Sequence, residues 1–326
     1  MIGSLALDRL AATLRAGRGI AAKRDIAGVA MRLGVSAESV VPVGDDCAAI
    51  ADGDGYLLFA IEGFMNEFVA CDPWFAGWCG VMVNISDVAA MGGRPIAVVD
   101  AVWAASEADA QPVLAGMREA SVAFGVPIVG GHTNTHTDRG QLSVAILGRA
   151  RRLLTSFDAQ PGDCLVTAID LRGRYREPFS NWEAATDAPP ARLRADLEVL
   201  PAIAESGLAL AAKDISQGGL VGTTLMLAEC SGVGAVIEIA SVPKPEGVPL
   251  DRWLQTFPSF GYLLAVPPAN VSALLARFHA RGIAAADIGK ITAERRVKIA
   301  DDRAVETIWD FTKEPLIGCK RVEAFA

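Results

Sequence analysis

The stretch Asn84-Ile85-Ser86-Asp87-Val88-Ala89-Ala90-Met91-Gly92-Gly93 places one carboxylate, Asp87, among small and apolar residues. The apolar run Gly80-Val81-Met82-Val83 leads into it, and after Arg94-Pro95 comes a second run, Ile96-Ala97-Val98-Val99. This order predicts Asp87 on or beside a short helix that Gly92-Gly93 ends, with Pro95 guarding the exit. Working outward, other polar insertions fall at the ends of apolar elements. Gly44-Asp45-Asp46 lies upstream, Glu62 closes Leu57-Leu58-Phe59-Ala60-Ile61, and Gly130-Gly131-His132-Thr133 follows Val126-Pro127-Ile128-Val129. Such insertions are what a magnesium-nucleotide site requires, because magnesium takes hard oxygen ligands and keeps several waters while bridging phosphates.

The chain is 326 residues long and 52% apolar, enough for two domains with substantial cores. Mean hydropathy is +0.32, yet no uninterrupted apolar stretch reaches about 18 residues, so no membrane-spanning helix is expected. The segment 1–18 carries Asp8, Arg9, Arg15 and Arg18, which does not read as a cleaved secretion signal. A net charge of −8 argues against a nucleic-acid partner, whose electrostatic footprint is basic. The six cysteines, Cys47, Cys71, Cys79, Cys164, Cys230 and Cys319, form no Cys-x-x-Cys pair. Reduced, buried thiols in a cytoplasmic protein are the expectation.

Periodicity predicts an opening helix over 5–16, ended by Gly17 and Gly19, a loop around Lys23-Arg24, and a helical segment over 26–33 ending at Gly34. Strands are expected at 47–51, 56–61, 96–102, 126–129 and 142–148, with helices at 74–84 and 107–124 between them. That mixture gives an α/β layering. Gln160-Pro161-Gly162-Asp163 precedes a fresh apolar run from Cys164 and marks a domain boundary, dividing the chain into 1–158 and 159–326. The second part is expected to hold helices at 190–207 and 219–230 and strands at 164–169, 235–239, 261–266 and 297–299. Segment 170–190 reads as a long surface loop containing Arg172, Arg174, Tyr175, Arg176, Phe179, Asn181 and Trp182.

Taken alone, Gly44-Asp45-Asp46 is a turn whose adjacent carboxylates point to opposite faces. Glu62 is costly where it stands unless it reaches water, a cation or a donor. His132 and His136 have metal-binding spacing for a helix, but their Gly, Thr and Asn neighbours favour a Gly-rich loop whose backbone N–H groups nest a phosphate. Lys213-Asp214-Ile215-Ser216-Gln217-Gly218-Gly219-Leu220 reads as a helix start capped by Ser216. Asp214 and the helix entrance also suit a ligand anion.

Together these motifs, with Pro161-Gly162-Asp163 and Ile288-Gly289-Lys290-Ile291, resemble a superfamily spanning nearly the whole chain. It includes aminoimidazole ribonucleotide (AIR) synthetase, thiamine-monophosphate kinase, selenophosphate synthetase and the hydrogenase-maturation dehydratase, and the wording is nearest the thiamine-monophosphate kinases. The resemblance implies an α/β, two-domain AIR synthase-like fold. Its N-terminal domain would dimerise through a shared β-barrel and bind ATP and magnesium, and its C-terminal domain would form a separate α/β layer. By position, Asp45, Asp46, Glu62 and Asp87 would hold magnesium, with Asp87 and Asp214 also catalytic. Asn84, Gly130, Gly131, His132, Thr133 and Arg149 would contact ATP. Of the basic cluster Arg15, Arg18, Lys23 and Arg24, the resemblance points to Lys23 or Arg24 touching the transferred phosphate.

The departures narrow the substrate. Thiamine-monophosphate kinases carry Gly-Gly-Asp-Thr at the position of His132, a Gly-x-Asp-Tyr-Glu-Leu pattern where this chain has Ser259-Phe260-Gly261-Tyr262-Leu263-Leu264, and an arginine where Ser156 stands. Selenophosphate synthetases do use Gly-Gly-His, but need a reactive cysteine in an N-terminal Gly-rich segment, and the first here is Cys47. The dehydratases end in cysteine, whereas this chain ends Val322-Glu323-Ala324-Phe325-Ala326. The expectation is a cytoplasmic homodimer that transfers a phosphoryl group from Mg-ATP to an unidentified small molecule. The alternatives are a synthetase that activates an amide or carbonyl oxygen, with loop 172–182 binding the acceptor, and a noncatalytic ATP-binding scaffold.

Overall fold

Stretches of period two and period 3.6 become the strands and helices of two separate compact units. The structure, a computed structural model, describes residues 4–33 and 40–318. The helix end expected at Gly34, Cys319 and the closing residues 322–326 lie outside them. The helices are α1 (Ser4–Arg15), α2 (Arg18–Lys23), α3 (Asp25–Leu33), α4 (Asn66–Cys71), α5 (Pro73–Ala90), α6 (Glu107–Phe124), α7 (Pro190–Leu197), α8 (Val199–Ser206), α9 (Gly219–Ser231), α10 (Leu250–Trp253) and α11 (Val271–His279). The strands are β1 (Ala48–Asp52), β2 (Gly55–Phe64), β3 (Arg94–Trp103), β4 (Ile128–Asn134), β5 (Gln141–Ala150), β6 (Cys164–Ile169), β7 (Arg174–Tyr175), β8 (Asn181–Glu183), β9 (Ala211–Asp214), β10 (Gly234–Glu238), β11 (Phe257–Pro258), β12 (Gly261–Val266), β13 (Ala284–Thr292), β14 (Arg296–Ala300) and β15 (Val305–Asp310). None of the described helices is long and apolar enough to cross a membrane.

The units interleave in sequence, whereas the boundary expected at 158/159 is a single cut. Unit 1 takes Met1–Asp46, Leu154–Ala184 and Ser206–Ala326, and unit 2 takes Cys47–Leu153 and Ala185–Glu205. Arg94 anchors the second segment of unit 2, with its guanidinium 2.9 Å from Glu198 and 2.7 Å from Glu205.

Unit 2 is a five-stranded sheet, ordered β1-β2-β5-β3-β4, covered on one face by α5. Asp72 caps α5 by accepting from Phe75 N, Pro73 opens its first turn, and Gly92, at φ 74°, stands just beyond its end. The 74–84 helix and the separate Asp87 turn expected from sequence are one 18-residue helix. Nearly every residue of α5 is buried because α6 covers its outer side. The two helices approach backbone to backbone: a Cβ on Gly77 would lie 2.0 Å from Val113 O, and one on Gly116 would lie 1.9 Å from Trp74 O. Gly80 packs on Val144 and Leu142, and Gly148 packs on Val88, so α5 runs along β5.

Unit 1 holds a seven-stranded mixed sheet ordered β15-β14-β10-β13-β6-β12-β9, and β6 and β12 are buried along their whole length. Helix α9 is buried over its first twelve residues, and its Glu229 carboxylate accepts from the backbone N–H groups of Leu316, Ile317 and Gly318. Helix α1 packs on β15. The loop expected over 170–190 contains β7 and β8, which form a small sheet with β11. Trp182 turns inward, donates from Nε1 to Asp170 O and meets Tyr175 and Trp253 edge to face.

Candidate active site

In unit 1 the turn Gly44-Asp45-Asp46 is held by β9 and by Ser156. Lys213, on β9, is buried, with its side chain 2% exposed, and its Nζ pairs with Asp46 Oδ1, whose side chain is 5% exposed. The same ammonium donates to Gly44 O at 3.3 Å and lies 3.5 Å from Ser156 Oγ. Asp46 Oδ2 accepts from Asp214 N at 3.2 Å. Asp45 points elsewhere: Oδ1 accepts from Ser156 Oγ at 2.7 Å and Oδ2 from Ser156 N at 2.9 Å. The two acids therefore diverge, as adjacent residues entering a strand should. Asp214, beside Lys213 at the end of β9, is buried as well.

Electrostatics follow from this enclosure. Burial, reinforced by Asp46 and opposed by Lys213 and Ser156, pushes the Asp45 carboxyl up to about 6. Burial works against the charged form of Lys213, but the pull of Asp46 and Asp45 outweighs it and raises Lys213 above the ordinary lysine value.

Two expectations around this cluster are corrected. Ser216 does not cap α9: the cap residue is Gly218, with no side-chain cap bond, and the buried Ser216 Oγ has no hydrogen-bond partner among the described residues. The segment around Lys23-Arg24 is not loop but helix. There α2 lies so close to the α9 entrance that a Cβ on Gly19 would sit 2.1 Å from Gln217 O. Arg24 turns toward β15, pairing with Glu314 and lying 5.7 Å over the Trp309 ring. Lys23 is half-buried at the end of α2.

In unit 2, Asp87 and Asn84 are buried on α5, three residues apart, and share a face with Gly80 and Val88. Asn84 Nδ2 donates to Gly80 O at 2.8 Å, while Asn84 Oδ1 has no partner among the described residues. Glu62 does not end its strand but lies inside β2, opposite Val144, and Val144 in turn pairs with Asp100 on β3. Glu62 and Asp100 thus share a row on the face that α5 covers. Sequence reasoning missed Asp100, although it interrupts an apolar strand just as Glu62 does. Burial raises its carboxyl above the ordinary value.

Gly130-Gly131-His132-Thr133 is strand β4, not a nest-forming loop, because it pairs in parallel with β3. Alternation splits the motif. Gly131 lies against Asp100, whose carboxylate is 2.6 Å from where its Cβ would be, and Thr133 shares that face. Gly130 and His132 belong to the opposite face, where His132 lies 6.2 Å from the Trp103 ring. Arg149 is not brought to this group. It bonds Asp52 O and Asp54 at the β1–β2 turn and aligns with Arg94, whereas His132 aligns with Ala101, roughly 20 Å along β3.

Lys213, absent from the expected set, directly follows the apolar run Leu208-Ala209-Leu210-Ala211-Ala212. In segment 172–182, Trp182 faces the interior, Arg172 is bound by Asp170, and Tyr175 lies under Arg252 at 3.6 Å. Of the cysteines, Cys47, Cys79, Cys164 and Cys230 are buried, while Cys71 is exposed.

Residues 44–150 match the family described as AIR synthase related protein, N-terminal domain, and residues 176–302 match its C-terminal domain. A Synechocystis protein, sll0787, is 48% identical over 85% of this chain and 87% of its own length. MJ0640 of Methanocaldococcus jannaschii is 35% identical over 86% and 88%. Both carry the name "Uncharacterized protein". The thiamine-monophosphate kinase of Pyrococcus abyssi is 28% identical over 86% of this chain and 93% of that protein. Among solved structures, Thermotoga maritima PurL complexed with ADP superposes with a TM-score of 0.74 at 18% identity, over 92% of this chain and 52% of that one. AaThiL complexed with AMPPCP and TMP gives 0.63 at 20% identity, over 86% and 94%. This chain thus spans about half the length of that PurL, and the two likenesses show a shared mixed α/β, two-domain architecture.

Proposed function

The chain belongs to the AIR synthase related protein family, and from that premise we propose that it transfers the γ-phosphoryl group of Mg-ATP to a small molecule in the cytoplasm. The observation that carries this reading is what the two structural relatives have in common. One is a PurL and the other a ThiL, and both were solved with adenine nucleotides, ADP and AMPPCP.

The residues of unit 2 fit a cation-bound polyphosphate. Asn84 Oδ1 is a buried hard oxygen lacking a partner among the described residues, one helical turn from buried Asp87. Asp87 and Glu62 of unit 2 are the proposed magnesium ligands. In unit 1, each Asp45 and Asp46 carboxylate oxygen already accepts a hydrogen bond or ion pair. Magnesium would supply neutralisation of the charge on the transferring phosphoryl group.

Isothermal titration with Mg-ATP tests the proposal: Asp87→Asn is expected to weaken binding at least tenfold, and unchanged affinity would sink it. The curated PurL relatives, synthases by name, favour one second reading, activation of an amide or carbonyl oxygen. A stable phosphorylated acceptor supports the kinase, whereas free phosphate with a new C–N bond supports the synthetase. Tight nucleotide binding without turnover supports the scaffold. A homodimer is part of the proposal: the sheet face turned away from α5 exposes Ile50, Phe59, Ile61, Val99 and Leu147, an apolar strip across four strands.

A further inference from the structure

A buried lysine is stable only when its charge and its three N–H groups are all answered. Lys213 has three oxygen acceptors: the Asp46 carboxylate, the Gly44 carbonyl and the Ser156 hydroxyl. A carboxylate, a carbonyl and a hydroxyl around a compact charge are also a hard-cation ligand set. The remaining oxygens of the turn are taken by neutral donors, Asp214 N on Asp46 and the Ser156 N–H and hydroxyl on Asp45. A divalent ion placed on Asp46 Oδ1 would have to displace the ammonium from that oxygen, and Oδ2 already accepts from Asp214 N. Lys213 has no open route outward, being 1% exposed and paired with Leu263 in the buried end of the sheet.

We propose that the Lys213 ammonium occupies the cation position of the Gly44-Asp45-Asp46 turn, so that this turn takes no divalent ion of its own. The inference deepens the metal assignment made above. It predicts that the chain holds fewer divalent ions than its count of acids implies, and that the turn keeps its shape without added metal.

The test measures cation binding and stability without nucleotide. Free Mn2+ is followed by electron paramagnetic resonance, and melting temperature is read in EDTA and in millimolar Mn2+ or Mg2+. In the wild type, Asp46→Asn is expected to leave Mn2+ stoichiometry unchanged; loss of one bound Mn2+ overturns the proposal. Lys213→Met is expected to lower the melting temperature in EDTA, regain it with Mn2+, and bind one Mn2+ more than wild type. The double variant Asp46→Asn with Lys213→Met should not gain that ion. Equal stoichiometry in wild type and folded Lys213→Met also overturns it, and should that variant not fold, the Asp46→Asn arm still decides. Mg-ATP titration of wild type separates this outcome from the functional reading, which fails independently if no nucleotide binds.

Discussion

At the scale of single residues, the enclosed Asp45 carboxyl makes a pH prediction with a definite sign. Its folded value of about 6 lies above the ordinary 3.8, so the folded state holds the proton more tightly than the unfolded chain does. Its contribution to stability is therefore complete below pH 3.8 and lost as pH rises through 6. Urea melts in EDTA should show Asp45→Asn gaining on wild type between those values by about 1–3 kcal/mol, then holding level. A pH-independent difference would contradict the assignment. Gly131 makes a second test, because an added Cβ would meet the Asp100 carboxylate. Gly131→Ala should cost about 1–3 kcal/mol, and combining it with Asp100→Ala should recover most of that loss in a double-mutant cycle. Residue type made Glu62, Asp87 and Asp214 legible from sequence. Asp100 carried the same signal, a charge inside an apolar strand, and Lys213 follows an apolar run, but the partners are distant in sequence: Asp46 lies 167 positions from Lys213. Only folding shows what answers such a charge.

At the scale of elements, α6 was legible at both ends, because Ser106 caps it by accepting from Asp109 N and Gly125 closes it in the left-handed region. Strands β6 and β12 were legible as uninterrupted apolar runs between turn residues. Strand β4 was not. Gly-Gly-His-Thr-Asn has no apolar signal, and its extended form comes from pairing with β3. Strand β9 was missed because four residues, two of them charged, give no period. The break expected within α5 was absent because the sheet and α6 cover both its sides, so its burial follows no stripe. The contact between those helices allows no side chain at its crossing. Gly77→Ala would press a methyl into Val113 O, a backbone atom that cannot rotate away. The expected loss is about 3 kcal/mol by denaturant unfolding, with a similar result for Gly116→Ala.

At the scale of the whole molecule, the outer face of the unit 2 sheet is the feature most in need of a partner. Ile61 is 66% exposed and Phe59 52%. If two copies meet there, Ile61→Glu should convert a dimer to a monomer in sedimentation velocity while leaving the far-ultraviolet circular dichroism unchanged; a persistent dimer would place the contact elsewhere. The alternation of β2 made such a face foreseeable. The assignment of Ala185–Glu205 to unit 2 was not, since α7 packs on α6, and Arg94 meets Glu198 and Glu205, from about a hundred residues away. The polypeptide passes between the units at 46/47, 153/154, 184/185 and 205/206. Severing one peptide bond, wherever it falls, therefore frees neither body intact. Nicked halves would have to reassemble by complementation, and a nascent chain leaving the ribosome must extend to residue 205 before either body has all its parts.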